Sequence, residues 1–123
     1  MNIGLVTCTK TKLAYVCPAR RLYSASTGFQ RHWRLAQQYD VRYIVSAKFG
    51  LLDPEAMVGP YDQWLGSYSA DDQLVWGHAI AADLAALGFG SDDVFYAHVS
   101  GWYFKPLAAA FQRKGWVLVH VPY

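Results

Sequence analysis

The sequence has little charge and no long apolar run, and both facts exclude whole classes of protein. Only 16% of its 123 residues are charged, whereas 54% are hydrophobic, so the chain can bury enough apolar surface to fold. It has no uninterrupted run of the about 18 apolar residues that a membrane span requires. The apolar stretch at residues 3–6 ends well before Lys10 and Lys12 and is too short for a signal peptide. We therefore expect a soluble, cytoplasmic protein with no membrane partner.

Cysteine is also scarce. The two cysteines, Cys8 and Cys17, are too few for a disulfide scaffold, and a lone pair lacks the further ligands of a structural zinc site. The four histidines follow no metal-binding spacing. We expect reduced thiols, no metal and no cofactor.

No repeat, low-complexity segment or linker divides the chain. Its 123 residues lie in the range of about 100 to 200 that one hydrophobic core serves. We therefore predict a single α/β domain over residues 1–123. Five Trp and nine Tyr leave open an exposed aromatic patch that pairs two subunits, so the oligomeric state stays undecided.

Short runs rich in Val, Ile, Tyr and Trp alternate with segments of helical patterning. The predicted strands are residues 3–7, 42–46, 94–99 and 116–121, and the predicted helices are residues 27–39, 69–87 and 103–114. Ser69 is the expected N-cap of the second helix, Gly115 ends the third, and His32 is expected on the basic outer face of the first. The alternation predicts a three-layer sandwich with a mainly parallel sheet of about four strands and helices on both faces.

Charge is unevenly distributed along the chain. Residues 1–50 carry eight basic side chains against one acid, a net charge of +7, and residues 51–123 carry three against eight, a net charge of −5. This asymmetry indicates a phosphate-bearing partner near the first half, such as DNA, RNA or a nucleotide-like small molecule. A dipolar surface without a specific partner is the alternative.

The loop after the first predicted strand is long, polar and basic. Ligands of parallel sheets bind beyond the carboxyl ends of the strands, and hydroxyls, backbone amides and lysines there can hold a phosphate, although the glycines of a P-loop are absent. The binding candidates in this loop are Cys8, Thr9, Lys12, Arg20 and Arg21. A solvated basic loop, with Cys8 a small buried residue at the strand end, is the alternative.

The loop after the second predicted strand combines turn residues with two carboxylates. Its binding candidates are Ser46, Lys48, Gly50 and Tyr61. Asp53 and Asp62 are the candidate catalytic residues, since a carboxylate can position water or stabilise developing positive charge. Asp53 precedes a proline, so closing a turn is its alternative role, and Asp62 is the favoured candidate of the two.

The loop after the third predicted strand opens a helix. Gly101 allows backbone amides at the helix start to approach an anion or a base edge. Tyr103 can stack on a nucleobase, with ordinary packing as the alternative.

The second loop resembles the signature of a bacterial and phage family of unknown function. The matching residues are the run from Ile44 to Pro54, then Pro60, Tyr61, Asp62 and Leu65. That family also has a Cys and a Lys after its first strand, a Pro-Ala-x-x-Leu-Tyr segment and a Gly-x-x-Tyr loop. The corresponding residues here are Cys8, Lys12, Pro18, Ala19, Leu22, Tyr23, Gly101, and Tyr103 or Phe104. The resemblance covers nearly the whole chain.

Two more distant resemblances concern nucleic acid. The second loop is similar to segments of the YaaA peroxide-stress family, which is implicated in DNA binding and protection, although this chain has Phe49 where that family favours Tyr and lacks its helical DNA-binding insertion. The Cys8-Thr9-x-x-Lys12 turn is similar to a Cys-Ser-x-x-Lys segment of archaeosine synthase, which works on a deazaguanine base in tRNA. These resemblances imply a role with nucleobases or nucleic acid, in metabolism, stress response or DNA damage.

The residues and the resemblances together predict a nucleobase or nucleotide pocket that acts on a modified base or an N-glycosidic bond. Asp62 would activate water or stabilise an oxocarbenium-like charge, and Tyr61 or Tyr103 would stack on the base. The predicted phosphate contacts are Lys12, Lys48, Arg20 and Arg21. The alternative is a non-catalytic nucleic-acid-binding module that uses Arg31 and Arg34 with the lysines of the first loop.

Overall fold

The chain alternates strands and helices along its length, as the sequence predicts. The computed structural model describes residues 1–123. The strands are β1 (Asn2–Thr7), β2 (Cys17–Pro18), β3 (Val41–Ser46), β4 (Gly50–Leu52), β5 (Met57–Val58), β6 (Val94–Val99) and β7 (Val117–Pro122). The helices are α1 (Ala19–Leu22), α2 (Thr27–Ala36), α3 (Ala70–Ala86) and α4 (Gly101–Lys114), with a 3-10 turn at Leu65–Ser67.

Five of the strands form one mainly parallel sheet in the order β4-β3-β1-β6-β7. Four of these strands are parallel, and β4 returns antiparallel beside β3. Gly50 makes that return possible, because it adopts φ 69°, a left-handed conformation that glycine enters without steric cost. The predicted α/β fold is confirmed, with β4 as the additional strand. The remaining two strands, β2 and β5, form a small antiparallel pair.

Helices cover both faces of the sheet. On one face, α4 places Phe111 with its ring centroid 5.0 Å from that of Phe95 in β6. On the other face, Tyr39, which follows α2, stacks on Tyr96 of β6 at 4.6 Å. A Cβ at Gly4 in β1 would come within 2.5 Å of the Tyr39 ring, so only glycine permits this contact. The core therefore lies on both sides of the central strand β1.

The long helices begin and end near the predicted residues. Ser69 caps α3, because its Oγ accepts a hydrogen bond from the Asp72 amide at 3.1 Å. Gly115 ends α4 with φ 71°. None of the four helices combines the length and the apolarity needed to cross a lipid bilayer.

The predicted position of His32 on the outer face of α2 is wrong. Its side chain is only 6% exposed, and its Nδ1 lies 3.0 Å from Nδ1 of His98 in β6. The other ring nitrogen of His98, Nε2, lies 2.7 Å from the Tyr39 hydroxyl. Burial lowers the pKa of His98 to about 4, so both polar contacts are made by a neutral imidazole.

Candidate functional site

A cleft of about 560 Å³ opens at the carboxyl edge of the parallel sheet. Its walls come from the loop after β1, the segment before the 3-10 turn, the start of α4 and the last residue, Tyr123. Ligand-binding pockets typically measure about 300 to 1,000 Å³, and ligands of parallel α/β sheets bind at this edge. The cleft therefore has the size and the position of a small-molecule site.

The loop after β1 supplies the basic wall of the cleft. Cys8 continues the buried strand, and its Sγ lies 3.5 Å from the hydroxyl of Tyr103. Thr9 Oγ1 donates to the Thr11 carbonyl at 2.9 Å, and Lys12 Nζ donates to the Lys10 carbonyl at 3.3 Å. The loop is thus folded on itself by its own side chains, with the side chains of Lys10 and Lys12 at the cleft.

A chain of hydroxyl groups lies behind this wall. The Tyr61 hydroxyl lies 2.6 Å from Ser46 Oγ and 2.5 Å from the Tyr23 hydroxyl. Ser46 Oγ also accepts hydrogen bonds from the amides of Lys48 and Phe49, at 3.2 and 3.1 Å, so its own proton is directed to Tyr61. Burial raises the pKa of Tyr23 to about 12 and also raises the pKa of Tyr61, so both phenols remain protonated at neutral pH.

The ring of Tyr61, whose hydroxyl belongs to this chain, contacts the side chain of Lys12. Lys12 Nζ lies 4.4 Å from the ring centroid of Tyr61, a cation–π contact, and Lys48 Nζ lies 5.9 Å from the same centroid. Burial lowers the pKa of the Lys12 ammonium, while Cys8 and Asp62 act in the opposite direction. Tyr61 is therefore placed to hold Lys12, with its ring occupied by lysine side chains.

The segment before the 3-10 turn supplies the opposite wall, with Asp62, Gln63 and Trp64. Asp62 is exposed at the cleft. The Trp64 indole is 52% exposed and packs edge-on against Trp102, with ring centroids 5.4 Å apart. Gly66 has no room for a Cβ, because the Trp64 ring lies over its backbone. This wall combines a carboxylate, an amide and a half-exposed aromatic surface.

The start of α4 closes the cleft. Tyr103 is buried there, with its hydroxyl 3.5 Å from the Leu65 amide as well as from Cys8 Sγ. Its ring packs edge-on against Trp76, with centroids 5.5 Å apart, and burial raises the pKa of its phenol. Tyr123, the last residue, stacks on His32 at 4.2 Å and lines the cleft nearby.

The structure brings together one part of the predicted site. Of the predicted residues, those that line the cleft are Cys8, Thr9, Lys12, Asp62 and Tyr103. Ser46 and Tyr61 lie behind it, as described above. Sequence reasoning did not select Thr7, Gln63, Trp64, Ser100 and Tyr123, and it included Lys10 only among the first-loop lysines of the alternative nucleic-acid-binding module. Trp64 had a usable signal, because it is an aromatic residue two positions after the favoured Asp62 in an irregular segment.

Other predicted residues lie outside the cleft. Arg20 Nε pairs with Glu55 Oε1 at 2.5 Å, and Arg21 is exposed on α1. Asp53 Oδ1 accepts a hydrogen bond from the Glu55 amide at 2.8 Å, which is a turn-closing contact. Lys48 lines a separate, shallower depression with Tyr68 and Trp76. Gly101 is not among the residues that line the cleft, and a Cβ there would meet no atom within 4 Å. No cluster of three or more His, Cys, Asp or Glu side chains is arranged to hold a metal ion.

Comparison with known protein families gives one match. The model of a family of unknown function, DUF6884, matches residues 3–122. The chain belongs to DUF6884. No protein of curated function and no solved structure matches it. The predicted membership of a family of unknown function is thus confirmed for nearly the whole chain, whereas these comparisons give no link between DUF6884 and either the YaaA family or archaeosine synthase.

Proposed function

We propose that the protein binds a nucleobase-bearing ligand in the cleft and acts on the base or on its N-glycosidic bond. One observation carries this proposal: Lys12, Asp62 and Trp64 line the same cleft of about 560 Å³ at the carboxyl edge of the sheet. A cation, a carboxylate and a half-exposed aromatic surface are the groups that recognise the anionic, reactive and planar parts of a nucleotide. The motif similarities to YaaA proteins and archaeosine synthase support the same ligand class.

Each wall of the cleft takes one role in this proposal. Trp64 offers the stacking surface, since Tyr103 is buried and Tyr61 is occupied by lysine. Gln63 can read a base edge, because an amide presents both a donor and an acceptor. Asp62 activates water or stabilises positive charge at the anomeric carbon as the bond to the base breaks. The attacking water adds its hydroxyl group to the anomeric carbon as the bond to the base breaks, and the proton that this water loses, directly or through Asp62 and solvent, passes to the departing base.

The first test is a thermal-shift screen of the purified protein against nucleobases, nucleosides, nucleotides, and short single- and double-stranded DNA and RNA. A ligand at about 100 times its Kd should stabilise the fold by roughly 2.7 kcal/mol. Stabilisation by small nucleobase compounds supports the proposal. If none of them shifts the unfolding midpoint, the nucleobase cleft is wrong.

Turnover is then tested with Asp62→Asn, using chromatography to detect release or modification of the base. We expect turnover to fall by about 100-fold or more, because general acid–base groups contribute about 10² to 10⁴ in rate, while ligand affinity stays within about threefold. Asp83→Asn on the exposed face of α3 is the matched control and should leave both unchanged. Normal turnover by the Asp62→Asn variant would exclude a catalytic role for this carboxylate.

A second candidate function, nucleic-acid binding without catalysis, is favoured by Arg31 and Arg34. Both are exposed on α2, and neither forms an ion pair. Free cations on one helix are suited to contacts with phosphates. This candidate predicts oligonucleotide affinity that falls steeply with salt, with a shallower salt dependence in Arg31→Gln/Arg34→Gln and no effect of Asp62→Asn. Oligonucleotide affinity that is insensitive to salt would exclude it.

A further inference from the structure

Two half-exposed tryptophans lie side by side at one wall of the cleft. Trp64 lines the cleft and is 52% exposed, whereas Trp102 does not line it and is 54% exposed. Their ring centroids are 5.4 Å apart, and their ring planes meet at 70°. The Trp64 ring is held in place, because it covers the backbone of Gly66 so closely that no Cβ fits there. The aromatic surface therefore continues beyond the cleft.

A lysine accompanies the outer tryptophan. Lys105 follows Trp102 by three residues on α4, so the two side chains lie on the same face of the helix. Lys105 is exposed and forms no ion pair. An exposed ring with a free cation beside it offers a stacking surface to a base and a countercharge to a phosphate.

A second pair of this kind adjoins the opposite wall. Phe49 is 42% exposed and does not line the cleft, and Lys48 Nζ lies 5.2 Å from its ring centroid. The Phe49 ring packs edge-on against Tyr61, with centroids 5.3 Å apart. The Tyr61 ring is also the one that contacts Lys12 in the cleft. This pair therefore continues the basic wall, as the first pair continues the aromatic wall.

The charges along this surface favour a polyanion. Four lysines lie on it, namely Lys10, Lys12, Lys48 and Lys105. Two carboxylates lie near them, Asp62 in the cleft and Asp72 in the depression that Lys48 lines. Neither carboxylate is paired with a lysine, so the surface has a net charge of +2 from these six groups. A free nucleotide in the cleft would leave the two outer lysines without a phosphate.

The exposed rings favour an unpaired strand over a duplex. The faces of bases inside a duplex are covered by their neighbours, whereas an unpaired strand can place successive bases on successive aromatic side chains. Exposed rings are available at three places, with Trp64 in the cleft and Phe49 and Trp102 beside it.

We propose that the ligand of the cleft is a segment of single-stranded nucleic acid of about three nucleotides rather than a free nucleotide. The central base stacks on Trp64 inside the cleft, and the flanking bases stack on Trp102 and Phe49. The lysines beside each ring contact the phosphates. This inference rests on the proposed nucleobase function and names its substrate as a base within a strand.

The test is isothermal titration calorimetry with mononucleotides, trinucleotides and hairpin duplexes, each in DNA and RNA form and with each of the four bases at the central position. A trinucleotide whose two outer positions are abasic keeps the phosphates and removes the flanking bases. Stacking of one base on an aromatic ring is worth about 5- to 150-fold in affinity. We expect an intact trinucleotide to bind at least about fivefold more tightly than the mononucleotide, the abasic form or the duplex.

Trp102→Ala removes one flanking surface and leaves the residues of the cleft unchanged. The trinucleotide Kd should rise by about fivefold or more, the mononucleotide Kd should stay unchanged, and Trp102→Phe should keep most of the trinucleotide affinity. Leu87→Ala is the matched control, because Leu87 is 55% exposed at the end of α3 and does not line the cleft. The abasic trinucleotide tests the same stacking on unaltered protein.

Salt dependence tests the lysine beside Trp102. With a longer single strand as the ligand, Lys105→Gln should reduce the slope of log Kd against log salt by about 0.7, the value for one phosphate contact. Lys114→Gln, an exposed position at the other end of α4, should leave the slope unchanged. An unchanged slope in Lys105→Gln would contradict the proposal.

The remaining outcomes separate this inference from the proposed function. If mononucleotides bind as tightly as trinucleotides and Trp102→Ala changes neither, the single-stranded substrate is wrong and the nucleobase cleft stands. If the abasic or duplex form binds as tightly as the intact trinucleotide, the stacking of flanking bases is wrong. If trinucleotides bind in a Trp102-dependent way but no base in them is released or modified, the strand site stands and the proposed activity is wrong. If no probe binds, both are overturned.

Discussion

At the scale of single residues, the hydroxyl of Tyr61 links two parts of the chain that carry the cleft. It bonds with Ser46 at the end of β3 and with Tyr23 at the end of α1. The same ring lies under the Lys12 ammonium. A substitution of Tyr61 is therefore expected to change both the stability of the fold and the position of the Lys12 ammonium in the cleft.

Tyr61→Phe removes that hydroxyl and leaves the buried phenol of Tyr23 without its partner. We expect the free energy of unfolding to fall by about 1–3 kcal/mol, the usual penalty for an unpaired buried polar group. Urea denaturation measures the change. Tyr15→Phe is the control, because the Tyr15 side chain is exposed and makes no hydrogen bond. A Tyr61→Phe protein as stable as the wild type would mean that Tyr23 finds another partner.

The buried histidines predict how stability depends on pH. The pKa of His98 is lowered by burial and by His32 to about 4, from an unperturbed value of 6.5, and burial also lowers the pKa of His32. Between pH 6.5 and pH 4 the imidazole of residue 98 is protonated in the unfolded chain and neutral in the folded chain. Stability is therefore full above pH 6.5 and declines as the pH falls towards 4. Because of His98, the free energy of unfolding falls by about 3 kcal/mol over this pH window.

Urea denaturation at pH 7.5 and pH 5.0 tests this prediction, and the lower pH should give the lower midpoint. His78→Gln should show the same loss, because His78 lies on α3 and makes no hydrogen bond. Equal midpoints at the two pH values would contradict a neutral, buried His98. A titration of the imidazole resonances by nuclear magnetic resonance should also place the midpoint of His98 near pH 4, with the ring still largely uncharged at pH 5.

At the scale of elements, the contact between α3 and α4 depends on one glycine. A Cβ at Gly77 in α3 would collide with the carbonyl group of Pro106 in α4. The two helices therefore pack with their backbones close together on one face of the sheet. Since α4 also carries Ser100 and Tyr103 to the cleft, this contact helps to set the position of the cleft wall.

Gly77→Ala should destabilise the protein by about 1–3 kcal/mol through overpacking, although alanine by itself favours a helix by about 0.5–1 kcal/mol over glycine. Gly101→Ala is the matched helical control, because a Cβ there meets no atom within 4 Å, and it should be neutral or slightly stabilising. Thermal and urea unfolding measure both variants. A stabilised Gly77→Ala would show that the helices separate at little cost.

At the scale of the whole molecule, the protection of backbone amides from hydrogen exchange should decrease from the centre of the sheet to its edge. β1 is bonded on both sides and buried from Ile3 to Thr7, whereas β7 is an edge strand paired only with β6 and partly exposed. We expect hydrogen exchange at Leu5 to require global unfolding and the outward amides of β7 to exchange much faster. Mass spectrometry with peptide resolution checks this order. A β7 as protected as β1 would mean that another chain covers this edge.

The amino-acid sequence was enough to predict the α/β alternation, because that depends on local patterns. The run Val94–Val99 and the capping residues Ser69 and Gly115 are signals read within a few residues of each other. The short elements β2, α1 and β5 escaped prediction, since two to four residues carry too little periodicity to distinguish them from a loop. β4 escaped for the same reason.

The sequence by itself determined the polar loops, the caps and the uneven charge, and thus which edge of the sheet carries candidate residues. Only the tertiary structure decided which of those residues meet. Cys8 contacts Tyr103 from 95 positions away, and His32 contacts His98 from 66. The pairing of Trp64 with Trp102 also becomes visible only when both segments are in place. Strand order sets such contacts, and it depends on the free energy of the whole packed core rather than on any local pattern.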